Sequence, residues 1–156
     1  MAYIRTVSPA EASGALKEDY DAAVGRAGRV FKIIEVMSAR PGVLRAFVAL
    51  ALEIMTGDSS LSEEDRRRLA AAVSETNRCG YSLGVYGSSA GLDDELHRFA
   101  VKLTREPASV GREDIARLRD RGYGEEAIHD AIQVVALLSY ANRIADGLGI
   151  ENEPAG

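Results

Sequence analysis

The chain of 156 residues has one cysteine, two histidines, four prolines and no tryptophan. Each scarcity excludes something. With Cys79 alone, there is no internal disulfide framework, no Cys-rich zinc site and no dithiol–disulfide cycle within one subunit. His97 and His129 lack HExxH spacing and cysteine neighbours, so no metal site is expected. Each follows an acid by four residues, Asp93 and Glu125, which predicts exposed helix pairs. The formal net charge of −5 leaves no basic face for phosphates, so nucleic acid is not an expected partner. No apolar run approaches the roughly 18 residues of a membrane span. The stretch Met1-Ala2-Tyr3-Ile4-Arg5-Thr6 carries no signal-like apolar run. No membrane partner is expected, and the expected location is cytoplasmic. The GxGxxG and GxxxxGK[ST] patterns are absent, no strand precedes Gly80 or Gly84 to make a nucleophile elbow, and no cofactor is expected.

What is present is helical periodicity almost throughout. The composition, 46% apolar and 28% charged, is that of an ordinary globular domain. A chain of this length can bury roughly two-thirds of its unfolded surface without a staple. Ser8-Pro9-Ala10-Glu11 reads as a capping box opening a helix, with Leu16, Tyr20, Ala23 and Val24 as its stripe. Val30, Ile33, Ile34 and Met37 repeat the helical spacing, and Leu44, Phe47, Val48, Ala51 and Met55 follow after a break at Arg40-Pro41-Gly42. Ser62 precedes Glu63, Glu64 and Asp65, an acidic first turn. Leu96, Phe99, Ala100 and Leu103 mark another helix, and Ile115 and Leu118 a short one ended by Gly122. A last helix runs from about Gly124 to Gly147, apolar on nearly every face between Ala131 and Tyr140, as befits a core or a subunit interface. No alternating strand pattern appears. The expectation is an all-α, single-domain helical bundle over residues 1–150, with a frayed polar tail over 151–156.

Two superficial signals dissolve on charge grounds. Arg66-Arg67-Arg68 pairs with Glu63 and Glu64 at helical spacing and reads as a solvated face. The segment from Ile115 to Val134 looks like a helix-turn-helix, but its second helix would turn Glu125, Glu126 and Asp130 toward phosphates.

The informative stretch runs from Val73 to Gly87. Asn77 is a plausible helix break, which would set Cys79 in the first turn of a new helix, where N–H groups and the dipole lower a thiol pKa. Ser82 and Tyr86 follow at spacings that share a face with Cys79. These three are the candidate catalytic residues. Gly80, Gly84 and Gly87 each cost roughly 1 kcal/mol against alanine inside a helix, so close packing or room for a ligand should compensate.

This segment resembles the signature of the alkylhydroperoxidase D-like and carboxymuconolactone decarboxylase family, which reads V-S-x-x-N-x-C-x-Y-C-x-x-x-H. Val73, Ser74, Asn77, Cys79 and Tyr81 match it in register. The Leu61-Ser62 helix start is similar, as is the short helix ending at Gly122. The run from Asn142 to Ile150 resembles the end of the peroxidase-related branch. The resemblance implies an alkylhydroperoxidase-like bundle assembled as a dimer, trimer or hexamer. It also implies a Cys-x-x-Cys pair served by a histidine and an upstream glutamate. Here the second cysteine is Ser82, the histidine is Tyr86 and the glutamate position is Arg67, with Glu64 or Glu75 as stand-ins in space. Serine cannot form a disulfide, and a phenol accepts a proton poorly at neutral pH. Three functions are therefore open. One is a single-cysteine thiol peroxidase that needs a hydroperoxide and an external thiol reductant. The second is a non-redox enzyme acting on an organic acid or lactone. The third is an inactive oligomeric binding homologue.

Overall fold

The computed structural model describes residues 2–153, which form eight α-helices and no strand. They are α1 (Gly14–Ala27), α2 (Lys32–Val36), α3 (Pro41–Thr56), α4 (Glu63–Asn77), α5 (Gly80–Tyr86), α6 (Asp94–Arg105), α7 (Arg112–Asp120) and α8 (Glu125–Leu148). The all-α expectation holds. None of these helices is long and apolar enough to cross a membrane.

The main core forms where α4 meets α8 and α6. Leu69, Ala70, Ala72 and Val73 of α4 are fully buried against Val134, Val135 and Leu138 of α8 and Leu96, Phe99 and Ala100 of α6. Small residues on α4 let the backbones approach, while the branched side chains fill the space between them. The Ser62 hydroxyl accepts the Asp65 N–H at 3.0 Å, and Glu63, Glu64 and Asp65 occupy the first turn. The α4 start is thus capped as its sequence implies. A second core gathers Leu16, Tyr20, Val36 and Leu44 from the first three helices and Met37 from the turn between α2 and α3, with the Tyr20 hydroxyl donating to the Val7 carbonyl at 2.7 Å.

Several sequence expectations are corrected. Only half of the Ser8–Glu11 box forms: the Ser8 N–H lies 3.1 Å from Glu11 Oε2, while the Glu11 N–H bonds the Ser8 carbonyl at 3.0 Å and closes one isolated turn. α1 begins only at Gly14, because Val7 and Ala12 on either side pack into the second core and bend the chain away. The Val30–Met37 stripe is split into the short α2 and a 3-10 turn over Met37–Ala39. Arg66 is not on a solvated face. It is 4% exposed and donates through Nη1 to the Ile54 and Gly57 carbonyls at 3.0 and 2.9 Å, tying the end of α3 to α4. Arg68 does pair with Glu64, at 3.0 Å, and Arg67 joins the same carboxylate at 2.8 Å. Glu63 is not their partner.

Part of the tail is anchored rather than frayed. Glu153 Oε1 accepts the Lys32 backbone N–H at 2.8 Å and the Tyr81 hydroxyl at 2.7 Å. Lys32 Nζ also donates to the Asn152 carbonyl at 2.7 Å. Residues 154–156, the remainder of that expectation, lie outside the described residues.

The α4–α8 contact predicts the response to a single truncation. Leu69→Ala should lower the unfolding free energy by about 2–5 kcal/mol, the range for a fully buried leucine. Urea denaturation measures it, and a loss below about 1 kcal/mol would mean that the core does not depend on this contact.

Candidate functional site

α4 ends at Asn77, and Arg78 turns the chain through a left-handed conformation with φ of 58°. The Arg78 and Cys79 N–H groups then bond back to the Glu75 and Ser74 carbonyls at 3.1 and 3.0 Å, the pattern of a left-handed helix end. This turn delivers Cys79 as the N-cap of α5. The helix break at Asn77 is therefore as expected, but Cys79 stands one residue before the first turn.

Cys79 and Ser82 are brought together. The thiol donates to the Ser82 hydroxyl, Sγ to Oγ, at 3.6 Å. Both are buried, and Cys79 is 0% exposed among Tyr81, Ala145, Ile33 and Ile150. The expected lowering of its pKa is overturned. Burial pushes the thiol up, and the nearby Asp146 carboxylate pushes it further, against weaker help from the Ser82 N–H and hydroxyl. The partial positive charge at the start of this seven-residue helix does not offset the loss of solvent. Asp146 is a residue that the sequence reading passed over. Its signal was its place in the Asn142–Ile150 run, one turn beyond Asn142 on α8.

Tyr86 does not reach Cys79. It lines a cavity of about 350 Å³ together with Tyr81, Ser82 and Val85 of α5. The opposite wall comes from Phe47, Val48, Ala51, Leu52 and Met55 of α3, and the remainder from α1, Phe31, α2 and Ala141 of α8. Ser82 thus stands between this cavity and Cys79, which is not part of the wall. Burial raises the Tyr86 phenol pKa. Burial also raises that of Tyr81, and the Glu153 carboxylate adds to it. Both are hydroxyl donors at neutral pH, not bases.

Neither Glu64 nor Glu75 takes the place of the missing relay glutamate. Glu64 is bound to Arg67, whose Nη1 donates to the Tyr86 carbonyl. Glu75 accepts the Ser89 N–H and hydroxyl at 3.0 and 2.6 Å. Of the three glycines only Gly87 is required by its backbone; Gly80 and Gly84 have room for a side chain. A Cβ on Gly80 or Gly84 would lie 4.0 Å from Asn152, while Gly87 has φ of 75° and faces Arg67. The expected histidine pairs do not form. Asp93 binds Arg121 and Glu125 binds Arg119, both charged at every relevant pH, whereas histidine is not. His129 instead approaches Asp130 at 3.8 Å. Among the described residues no group of three or more His, Cys, Asp or Glu side chains is placed to hold a metal.

The whole backbone superimposes on solved structures. A peroxidase-related protein from Ralstonia eutropha JMP134, described as an alkylhydroperoxidase core, matches with a TM-score of 0.88 at 20% identity, covering 98% of this chain and 93% of that one. The fold is that of the alkylhydroperoxidase core. A peroxidase-related protein from Silicibacter sp. TM1040 matches with a TM-score of 0.79 at 24% identity over 88% of this chain and 84% of its own. The debrominase Bmp8 matches with a TM-score of 0.74 at 18% identity over 97% and 93%. No protein-family model and no curated protein sequence matches the chain. The resemblance carried by Val73–Tyr81 and this fold therefore agree, though the pairwise identities are low.

The burial of Cys79 has a direct consequence. Its alkylation by iodoacetamide at neutral pH should run at least ~10-fold slower in the folded protein than in urea, because a buried thiol with a raised pKa offers little thiolate. The folded-state rate should keep climbing at pH values above the ordinary cysteine pKa. Equal rates in the folded and unfolded chain would show that the thiol is open.

Proposed function

We propose that this chain is an alkylhydroperoxidase-like protein that works with one cysteine and no resolving partner, on small apolar hydroperoxides held in the cavity. The observation that carries the reading is the apolar cavity whose wall includes Ser82 and Tyr86, with Cys79 directly behind Ser82. A hydroperoxide seated there would accept hydrogen bonds from the Tyr86 phenol. Rotation of Ser82 would then expose the sulfur. The Cys79 thiolate attacks the outer peroxide oxygen, the O–O bond breaks, and the alkoxide takes a proton and leaves as the alcohol. The sulfur, now a sulfenic acid, is oxidised by two electrons. One external thiol displaces water from it to give a mixed disulfide, and a second thiol releases Cys79 as the free thiol together with an external disulfide. No group bound to the protein has to supply electrons. The raised thiol pKa makes this a slow reaction at neutral pH that quickens as pH rises.

The assay is cumene hydroperoxide consumption with dithiothreitol as reductant. Cys79→Ala should lower the protein-dependent rate at least ~10-fold, the scale of losing a nucleophile; equal rates in wild type and variant would sink the proposal. The Bmp8 debrominase is also known as a Cys-to-Ala variant in complex with 2,3,4-tribromopyrrole. An apolar cavity suits such a ring too. Bromide released from that compound, with cumene hydroperoxide untouched, would move the reading from peroxides to halogenated rings.

The homo-oligomer belongs to the same proposal. Val43 and Leu50 of α3 and Tyr140 of α8 are 40, 51 and 40% exposed, more large apolar surface on one side than a lone domain gains by showing to water. Light scattering should give a multiple of the 16.7 kDa chain mass, and Leu50→Glu should shift it toward the monomer. A monomeric wild type would remove this part of the proposal.

A further inference from the structure

The cavity beside Tyr86 is chemically lopsided. Its long wall is hydrocarbon and aromatic: Phe31, Ile34, Phe47, Val48, Leu52 and Met55. Most polar side chains along it are already engaged. The Thr56 hydroxyl donates to the Leu52 carbonyl at 2.8 Å. The Tyr81 hydroxyl is held by Glu153 at 2.7 Å and by the Ile33 N–H at 3.2 Å. Ser82 accepts from Cys79. What remains is the Tyr86 hydroxyl and the guanidinium of Arg26, the one charged side chain in the lining.

Arg26 sits in the last turn of α1, at the rim. It makes no ion pair or hydrogen bond within the described residues, whereas Arg45 on α3 is paired with Asp19 at 3.0 Å. A second cation lies against one wall residue. Arg29 lies with its guanidinium carbon 4.5 Å from the centroid of the Phe31 ring, itself part of the wall. No carboxylate lines the cavity among the described residues. On a chain with net charge −5, a lining that holds one guanidinium and no carboxylate, with Arg29 stacked on its Phe31, is a local positive spot on an apolar slot.

We infer that the cavity takes an apolar molecule bearing one carboxylate, a medium-chain or arylalkanoic acid, with its tail along α3 and its carboxylate on Arg26. The guanidinium fork matches a carboxylate bidentately. The apolar wall rewards a hydrocarbon tail by burying it. This deepens the reading of the cavity as the ligand site: the substrates would be hydroperoxides of such acids. It needs neither Cys79 nor turnover to be tested.

The experiment is calorimetric titration of the full chain with decanoate, decanol and decylamine. Decanoate should bind most tightly. Arg26→Gln, a change at an exposed position, should weaken decanoate about tenfold, as loss of a charge-assisted pair implies, and leave decanol unchanged. Ala27→Trp, also exposed and at the same rim, should weaken decanoate and decanol together. Cys79→Ala should bind decanoate as the wild type does. Equal binding of decanoate and decanol, insensitivity of decanoate to Arg26→Gln, or binding that survives Ala27→Trp overturns the inference. So does absence of binding by all three because a second copy of the chain covers the mouth. Decanoate selectivity in a protein inert toward cumene hydroperoxide would uphold this inference while removing the peroxidase reading. Peroxide turnover without acid selectivity would do the reverse.

Discussion

The close packing of α4 on α8 fixes nearly everything else in the molecule. Ala70, Ala72, Val73 and Leu69 present a low-relief surface with no exposure to water, and Ala131, Val134, Val135 and Leu138 of α8 fill it. Because α4 is pinned along its length, its end at Asn77 falls at a fixed point against the later turns of α8. There Ala145 meets Cys79, and Asp146 approaches the thiol. The left-handed turn at Arg78 then leads into α5, which packs back against α4 and α8. The position of the cysteine is thus a consequence of core packing rather than of any local preference of the segment that carries it.

The same constraint sets the chemistry. A thiol held under Ser82 and against α8 is shielded from solvent on every side, and burial dominates its acidity. The cavity lies on the other side of Ser82, between α5, α3 and α1. Reaction and binding are therefore separated by one side chain. A ligand can occupy the apolar slot without meeting sulfur, and the sulfur is reached only when Ser82 turns aside. In this arrangement the residues that stand where a resolving cysteine and a histidine would be have become a screen and a hydroxyl donor. Ser82 covers the thiol, and Tyr86 borders the cavity.

The legible part of the fold was its periodicity. The α4 start at Ser62, the α4 end at Asn77, the span of α6 and the long buried α8 all follow from spacing and capping residues, because those signals act over one or two helical turns. Local signals misled where distant packing overrode them. The Ser8 N–H finds the Glu11 carboxylate as in a capping box, but the turn leads into no helix, since Val7 and Ala12 are drawn into the second core. Arg66 sits in a run that reads as a charged surface, yet it is buried to bind the carbonyls at the end of α3. The tail looked too polar to order, but Glu153 finds two donors, on Lys32 and Tyr81, that no local pattern advertises.

For the site, the sequence by itself determined the inventory: one cysteine, Cys79, a serine three residues on, a tyrosine four beyond that where the motif has its histidine, and no second thiol. That is a matter of composition and order, and no fold can alter it. Only the tertiary structure decided what those residues meet. It set Cys79 beneath Ser82 with a raised rather than lowered pKa, turned Tyr86 toward a cavity instead of the thiol, and brought Arg26, some fifty residues earlier in the chain, to the rim of the same cavity. The reason is physical. Acidity and recognition depend on solvent and neighbours, and for a residue at a helix junction both are supplied by segments far away in sequence.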